Sequence, residues 1–439
     1  MTSTMAEQAV STSSKWRSYP AYRDCEATFL ASVPDHWLCK PLKQLVKSPV
    51  ERGAGQELPF VALEHIVGGA GTTVPGFEWE NVCADDCAVF KAGDVLYGKL
   101  RPYLRKYLHV DRDGCCPTEL LVLRPSEAGY TDRFLFYVVQ SQPFVALTGA
   151  TSYGVKMPRT AWEDLGCNWF WLPTASEQHA IVALLDRETA KIDALVSAKE
   201  RQTDILREKR TAVIAQAVIH GLDTDVALRD SGSKWLGMVP SHWDIRRNKT
   251  IFVEVDERST TDSEELLTVS HITGVTPRAE KRGVNMFLAE TTEGYKTCQV
   301  DDLVINTMWA WMGALGFTTY AGVVSPSYHV YRLRSKDLLM PEYLDLLYRT
   351  SAHLCEIMRY SRGIWTSRLR LYPEEFLGMR TPVPPVGEQQ RICEYIEAET
   401  GLIDGVIDAN IRHIELLRER RTALISAAVT GQVDVREEM

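Results

Sequence analysis

No stretch of this 439-residue chain approaches the roughly 18 consecutive apolar residues of a membrane span, and its start lacks the basic-then-apolar pattern of a secretory leader. A soluble, cytoplasmic protein with no membrane partner is the expectation. Ten cysteines without that leader read as reduced thiols rather than a disulfide framework. Cys83 and Cys87 form a C-x3-C around Asp85 and Asp86, but no second His/Cys pair with zinc-type spacing lies near, so no metal site is assigned. There is no G-x-x-x-x-G-K-[ST] phosphate loop, no strand followed by G-x-G-x-x-G and no H-E-x-x-H. A [DN]-P-P-[FYW] tetrapeptide of the kind that serves adenine methylation is also missing. The Gly-rich "GGAGTT" at 68–73 has neither the lysine nor a helical pattern behind it and reads as a loop. His65 and His271 sit beside apolar residues in strand-like runs and read as structural. Together these absences favour a binding protein over an enzyme, and no catalytic residue is assigned.

The composition is globular, with 45% apolar and 24% charged residues, and the length suits more than one core. A net charge of −9 argues against a protein that coats nucleic acid with its whole surface, but leaves room for a local basic groove.

The chain repeats itself. "SVPDHW" at 32–37 returns as "MVPSHW" at 238–243, and "AGDVLYGKLRPYL" from Ala92 corresponds to "VDDLVINTMWAWM" from Val300, anchored on Asp94 and Asp302. The longest match sets 173–218 against 384–429, including "SEQHAI" with "GEQQRI" and "LREKRTAVIAQAV" with "LRERRTALISAAV". Each copy begins with short β-branched and aromatic runs between Gly/Pro/Asp turns, interspersed with amphipathic helical stretches, which predicts a mixed α/β (α+β) body. Each ends on apolar residues spaced by three, four and seven, from Ile181 to Val218 and from Ile392 to Val429, with prolines upstream and Gly221 or Gly431 downstream. That predicts a helix of about 42 residues, far longer than the ordinary ~11, which must bury its stripe on something. Two partners are open: the other copy's helix, as an antiparallel pair, or the helix's own globular body.

The predicted organisation is a flexible tail over 1–30, a first globular domain over 31–170, a helical spacer over 171–222 and a linker over 223–237. A second globular domain over 238–380 and a second spacer over 381–439 complete the internal repeat.

Local charge differs from the net value. "GKLRPYLRKY" carries Lys99, Arg101, Tyr103, Arg105 and Lys106 with no acid among them, and "TSYGVKMPRT" adds Tyr153, Lys156 and Arg159. In the second copy "RYSRGIWTSRLR" supplies Arg359, Arg362, Trp365, Ser367, Arg368 and Arg370. Cations that hold phosphates beside donors and flat rings that meet base edges are what a groove-reading surface needs. Lys99 and Arg101 align with Thr307 and Trp309, and Tyr103 with Trp311, so matched positions present different chemistry. Trp309 and Trp311 either stack on bases or pack in a core. Two related readers with different targets, bound to two half-sites of a non-palindromic DNA site, are the implied function.

This ordered, duplicated set resembles the specificity subunits of type I restriction–modification systems. The residues carrying the likeness are "VPDHW" and "VPSHW", "GDVLYGKLRPYL" and "DDLVINTMWAWMGALG", "LPTASEQHAI" and "PVPPVGEQQRI", and "LREKRTAVI" and "LRERRTALI". The resemblance implies two target-recognition domains, each reading half of a bipartite site in double-stranded DNA, separated by two long antiparallel helices in a pseudo-two-fold arrangement. It further implies two methyltransferase (modification) subunits docked on this chain, joined for restriction by motor–nuclease subunits. S-adenosylmethionine, ATP and Mg would then belong to those partners, with no cofactor in this chain. Arg207, Lys209, Arg210, Arg418, Arg420 and Arg421, kept in both helix ends, are the candidate partner-docking residues. An assembly scaffold that reads no DNA and a self-contained nuclease are the alternatives; uniform affinity for every duplex would mark the first, cleavage by the isolated chain the second.

Overall fold

The computed structural model describes residues 16–436 apart from 26, 28, 54, 262, 281–290 and 364–368. Two compact units emerge, one comprising Met1–Glu200 with Ile411–Met439, the other Arg201–Asn410.

The first unit is mixed α/β. A four-stranded sheet runs in the order Val46–Lys47, Leu120–Pro125, Val95–Gly98, Tyr107–His109, all antiparallel, with Leu121 opposite Tyr97 and Leu123 opposite Val95. Both faces of this sheet are covered, so its strands are almost continuously apolar rather than alternating. Val95, Tyr97, Leu121 and Leu123 face one core with the helices. Leu96, Leu108, Leu120 and Val122 face a second core, lined also by Phe90 and Cys116 of the other four-stranded sheet.

The second unit repeats the plan. Phe252–Val255, His329–Leu333, Leu303–Ile305 and Leu315–Phe317 form the equivalent sheet. Leu303, Ile305, Tyr331 and Leu333 point to the helical core, Val304 and Val330 to the other. The same buried clamp ties the middle strands in each unit. Arg124 donates two bonds of 2.9 and 2.8 Å to Asp94, and Arg332 donates two of 2.8 Å to Asp302, the carboxylates being 2% and 1% exposed.

The long helices are Ala175–His220, 46 residues, and Val386–Val429, 44 residues. Thr174 and Glu177 form a capping box at the first, Glu177 N donating to Thr174 Oγ1 at 3.3 Å and Thr174 N to Glu177 Oε2 at 3.2 Å. Both helices end on a glycine at φ +77°, Gly221 and Gly431, where a left-handed residue closes the last turn. At Gly431 no side chain is possible, because a Cβ would lie 2.4 Å from Pro34.

Both packings left open for these helices occur. In the first unit Ile181, Leu184 and Leu185 join the globular core together with Ile425, Ala428 and Val429 from the end of the other helix. In the second, Ile392 and Ile396 do so together with Ala217, Val218 and Ile219. Between those ends the helices hold each other. Arg421 reaches Asp193 and Arg418 reaches Glu200 in the first unit; Arg210 reaches Asp404 and Asn410 reaches Gln202 in the second. Numbers rise on one helix as they fall on the other, so the pairing is antiparallel. Leu195, placed by spacing on the stripe, is instead 52% exposed, as is its counterpart Val406 at 43%.

Residues 16–30 and 223–237 are not simply tail and linker. Tyr22–Asp24 pairs with Ser32–Pro34, and Leu228–Asp230 pairs with Met238–Pro240 in the same register. Arg23 and Arg229 donate to the carbonyls of Trp37 and Trp243, and Tyr19 is buried. Three-residue strands are too short to show an alternation, so it was the repeated "VP" of their partner strands that was visible in the sequence. The rest of the tail, 1–15, lies outside the described residues.

No helix among the described residues is long and apolar enough to cross a membrane.

Candidate nucleic-acid interface

In the first unit, two segments about sixty residues apart in sequence are zipped together at the end of the Val95–Gly98 strand. Thr160 N donates to Lys99 O at 3.0 Å and Arg101 N to Pro158 O at 2.7 Å. Tyr153 and Arg159 exchange two backbone hydrogen bonds of 2.9 Å, closing a loop with Val155 and Lys156 at its exposed tip. Beside it the Pro102–Leu104 turn is flanked by Arg101 at φ 50° and Arg105 at φ 52°, a left-handed backbone that aims the turn outward. Arg101, Lys156 and Arg159 are exposed, with Tyr103 and Tyr153 about three-fifths exposed beside them. Among the described residues these three cations, and half-buried Lys99, have no acidic partner within ion-pair distance, leaving them available for phosphates.

Arg105 and Lys106 differ from the expectation. Arg105 donates to Gln140 O at 3.0 Å and Lys106 to Leu63 O at 2.6 Å, both half-buried. Left-handed Arg105 turns the chain inward here, so these two cations brace the turn from beneath instead of lining its outer edge.

The second unit builds the same edge from different residues. Leu371 N donates to Thr307 O at 3.1 Å, the counterpart of Thr160 and Lys99. Arg362 and Arg370 exchange backbone bonds of 2.9 and 3.0 Å, the counterpart of Tyr153 and Arg159. The Ala310–Met312 turn replaces Pro102–Leu104, with Gly313 at φ 93° where the first unit has Arg105. Trp309 is 48% exposed on this edge, whereas Trp311 is half-buried and donates its Nε1 to Met308 O at 3.1 Å, which separates the two tryptophans by role. Thr307 is buried, its hydroxyl donating to Ser327 O at 2.9 Å. Arg370 is exposed. Arg362 pairs with Glu375, and Arg359 makes two 2.7 Å bonds to Glu356 while its guanidinium lies 4.4 Å over the Tyr360 ring, so both are neutralised locally. Trp365, Ser367 and Arg368 lie outside the described residues.

The charged helix ends divide in the same way. Arg210, Arg418 and Arg421 are spent on the interhelical pairs, Arg421 also reaching Gln140 Oε1 at 3.2 Å, and Arg207 bonds Asp204 within its own helix. Lys209 and its counterpart Arg420 are exposed, with no ion pair among the described residues. Two equivalent pairs of exposed apolar residues, Leu195 with Val406 and Ile205 with Leu416, offer contact area that charge alone does not. The helical spacing put Leu195 and Val406 on the buried stripe, and left Ile205 and Leu416 off it.

"VPDHW" and "VPSHW" also find their partner. His36 Nε2 lies 2.7 Å from Glu177 Oε1 and Trp37 Nε1 donates to the same oxygen at 3.2 Å; His242 and Trp243 hold Glu388 at 2.8 and 3.1 Å. Burial alone would raise the Glu177 carboxyl, but hydrogen bonds from His36, Thr174 and Trp37 outweigh it and hold it below the usual range. The motif therefore locks the start of each long helix to its globular body. Cys83 donates its thiol to Asp85, and His65 Nδ1 accepts from Ala62 N at 3.1 Å, the structural use expected of it; His271 is exposed.

No protein-family model matches this chain, and no curated protein matches it. Solved structures do. A chain from a structure describing the complex assembly and conformational transition of a type I R-M system is similar over 91% of this chain and 99% of its own, with a TM-score of 0.71 at 18% identity. The HsdS subunit from Thermoanaerobacter tengcongensis is similar over 91% and 98%, with a TM-score of 0.53 at 18% identity. The fold is therefore that of type I restriction–modification specificity subunits, as the ordered motifs implied.

Proposed function

We propose that this chain is the DNA-reading specificity subunit of a type I restriction–modification complex, each unit recognising one half of a bipartite, asymmetric site. The observation that carries the reading is the pair of equivalent loop edges. The same backbone zipper presents Lys99, Arg101, Tyr103, Tyr153, Lys156 and Arg159 in one unit, and Trp309 with Arg370 in the other. A shared scaffold with divergent exposed chemistry suits two readers of different sequences.

Catalysis lies in partners in this reading. Two methyltransferase subunits using S-adenosylmethionine dock on the long helices, with Lys209, Arg420 and the exposed apolar pairs as their contact surface, and the helices set the gap between half-sites. Motor–nuclease subunits consuming ATP with Mg join for restriction. The target adenines are flipped into the partner's pocket once this chain has positioned the duplex. The complex works in the cytoplasm.

The test is binding of the assembled complex to duplex libraries at fixed salt. Lys156→Ala relaxes or weakens one half-site by about 1 kcal/mol or more and Arg370→Ala the other. Uniform losses across all sequences would reduce these residues to phosphate clamps, and equal affinity of the unmodified complex for every duplex would favour the scaffold reading.

A further inference from the structure

In the second unit a cavity of about 420 Å³ opens between the Pro341–Tyr348 helix and the first turns of the second long helix. Phe317, Leu346, Cys393 and Ile396 give it apolar walls. Four carboxylates surround them: Asp301, Glu342, Asp345 and Glu397. Lys336 pairs with Asp301 at 2.7 Å and Arg349 stands 3.6 Å from Asp345, while Glu342 and Glu397 are exposed and have no ion pair among the described residues. The cavity therefore carries an uncompensated negative charge beside apolar surface. Burial pushes the Asp345 carboxyl up, the largest influence on it, so a cation here would relieve a desolvated acid.

The first unit contains the same place already filled. The register is fixed by one glutamine in each unit: Gln178 accepts from Thr131 N at 2.7 Å and Gln389 from Met340 N at 2.9 Å. Counting on from those pairs, Arg133 corresponds to Glu342, Phe136 to Asp345, Tyr137 to Leu346 and Asp186 to Glu397. In the first unit Arg133 Nη2 and Tyr137 Oη both donate to Asp186 Oδ1, at 2.5 and 2.6 Å, with the guanidinium 5.3 Å over the Phe136 ring. The second unit keeps the acceptor on the long helix and has lost both donors.

We propose that the second unit's cavity is a docking site for an arginine side chain flanked by an aromatic residue, supplied by a partner protein, which takes the place that Arg133 and Tyr137 occupy in the first unit. The acidic rim repels DNA phosphates, so this surface is separate in chemistry from the basic edges, and the assignment does not depend on the DNA-reading proposal. A guanidinium is preferred to an ammonium because its fork can bond two carboxylates while its face lies on an apolar wall.

The test is titration calorimetry of the full chain with N-acetyl-tyrosyl-arginine amide, its citrulline analogue and agmatine. Saturable binding of the arginine dipeptide, weakened about tenfold or more for neutral citrulline, is expected. Glu342→Arg with Leu346→Tyr rebuilds the first unit's filling and is expected to abolish binding without lowering the unfolding temperature. Should that double variant misfold, Glu342→Gln on the exposed rim must still weaken binding severalfold. Equal affinity for citrulline, no saturation, or undiminished binding in these variants overturns the site. Agmatine binding as tightly as the dipeptide overturns its assignment to a protein partner.

Discussion

Arg105 and Gly313 occupy one position in the two units, the left-handed residue closing the outer turn, and they show how the copies diverged. The backbone demand stayed and the side chain changed: an arginine that reaches under the turn to Gln140 in one unit, a bare glycine in the other. Phe144 and His353 are a second such pair, each the third residue of its helix and each fully buried. By contrast the Asp94–Arg124 and Asp302–Arg332 clamps, and the His–Trp clasps on Glu177 and Glu388, are the same in both. The contacts that hold the frame are alike in the two units, whereas the exposed loop edges differ in chemistry.

The largest effects are expected at the shared clamps. Asp94→Ala leaves Arg124 without its buried carboxylate and should destabilise the first unit by about 3–5 kcal/mol, with Asp302→Ala doing the same in the second. Urea unfolding checks this, and a large inequality between the two would break the equivalence of the frames.

His353 should give the second unit a loss of stability that begins near pH 6.5, above the range in which carboxylates titrate. Burial lowers its pKa to about 4, against the weaker raising effect of its bond to Tyr348 O, and its Nε2 is buried with no hydrogen-bond partner among the described residues. The folded state therefore binds the proton less readily than the unfolded chain. Stability is full above the unfolded value of about 6.5 and falls as pH drops towards about 4, by roughly 3 kcal/mol in total. Thermal scans across that window should show the loss, and His353→Phe, copying the first unit, should remove it.

Smaller differences are expected on the helices. Arg421, with a side chain 14% exposed and bonded to Asp193 and Gln140, should cost about 1–2 kcal/mol on truncation. Arg210, with a side chain 41% exposed and paired with Asp404, should cost below about 1 kcal/mol. Equal melting shifts for Arg421→Ala and Arg210→Ala would show that burial does not separate them.

Much of the frame was legible because duplication doubles weak signals. The long helices announced themselves by spacing and terminal glycines, and their sheets by runs such as "VLYG" and "LVI". The clasp on Glu177 was not legible, since His36 and Trp37 lie about 140 positions from their partner and nothing local records the contact. The loop edges were half legible. Clustering of cations and rings brought out the basic and aromatic residues, but charge in a sequence does not say which cation is already paired, so Arg359 and Arg362 looked as available as Lys156 and Arg370. Likewise Leu195 matched the helical period yet faces solvent, because a helix shared between a globular body and another helix turns its seam as it passes from one to the other.

The claim that two unlike edges on one frame read two different half-sites is tested most directly by mapping methylated adenines in the host genome with this gene intact, deleted, or carrying Lys156→Ala or Arg370→Ala. The account predicts that deletion erases one bipartite, asymmetric motif and that each substitution relaxes a different half of it. An unchanged methylation map on deletion, with the partner subunits expressed, would contradict it.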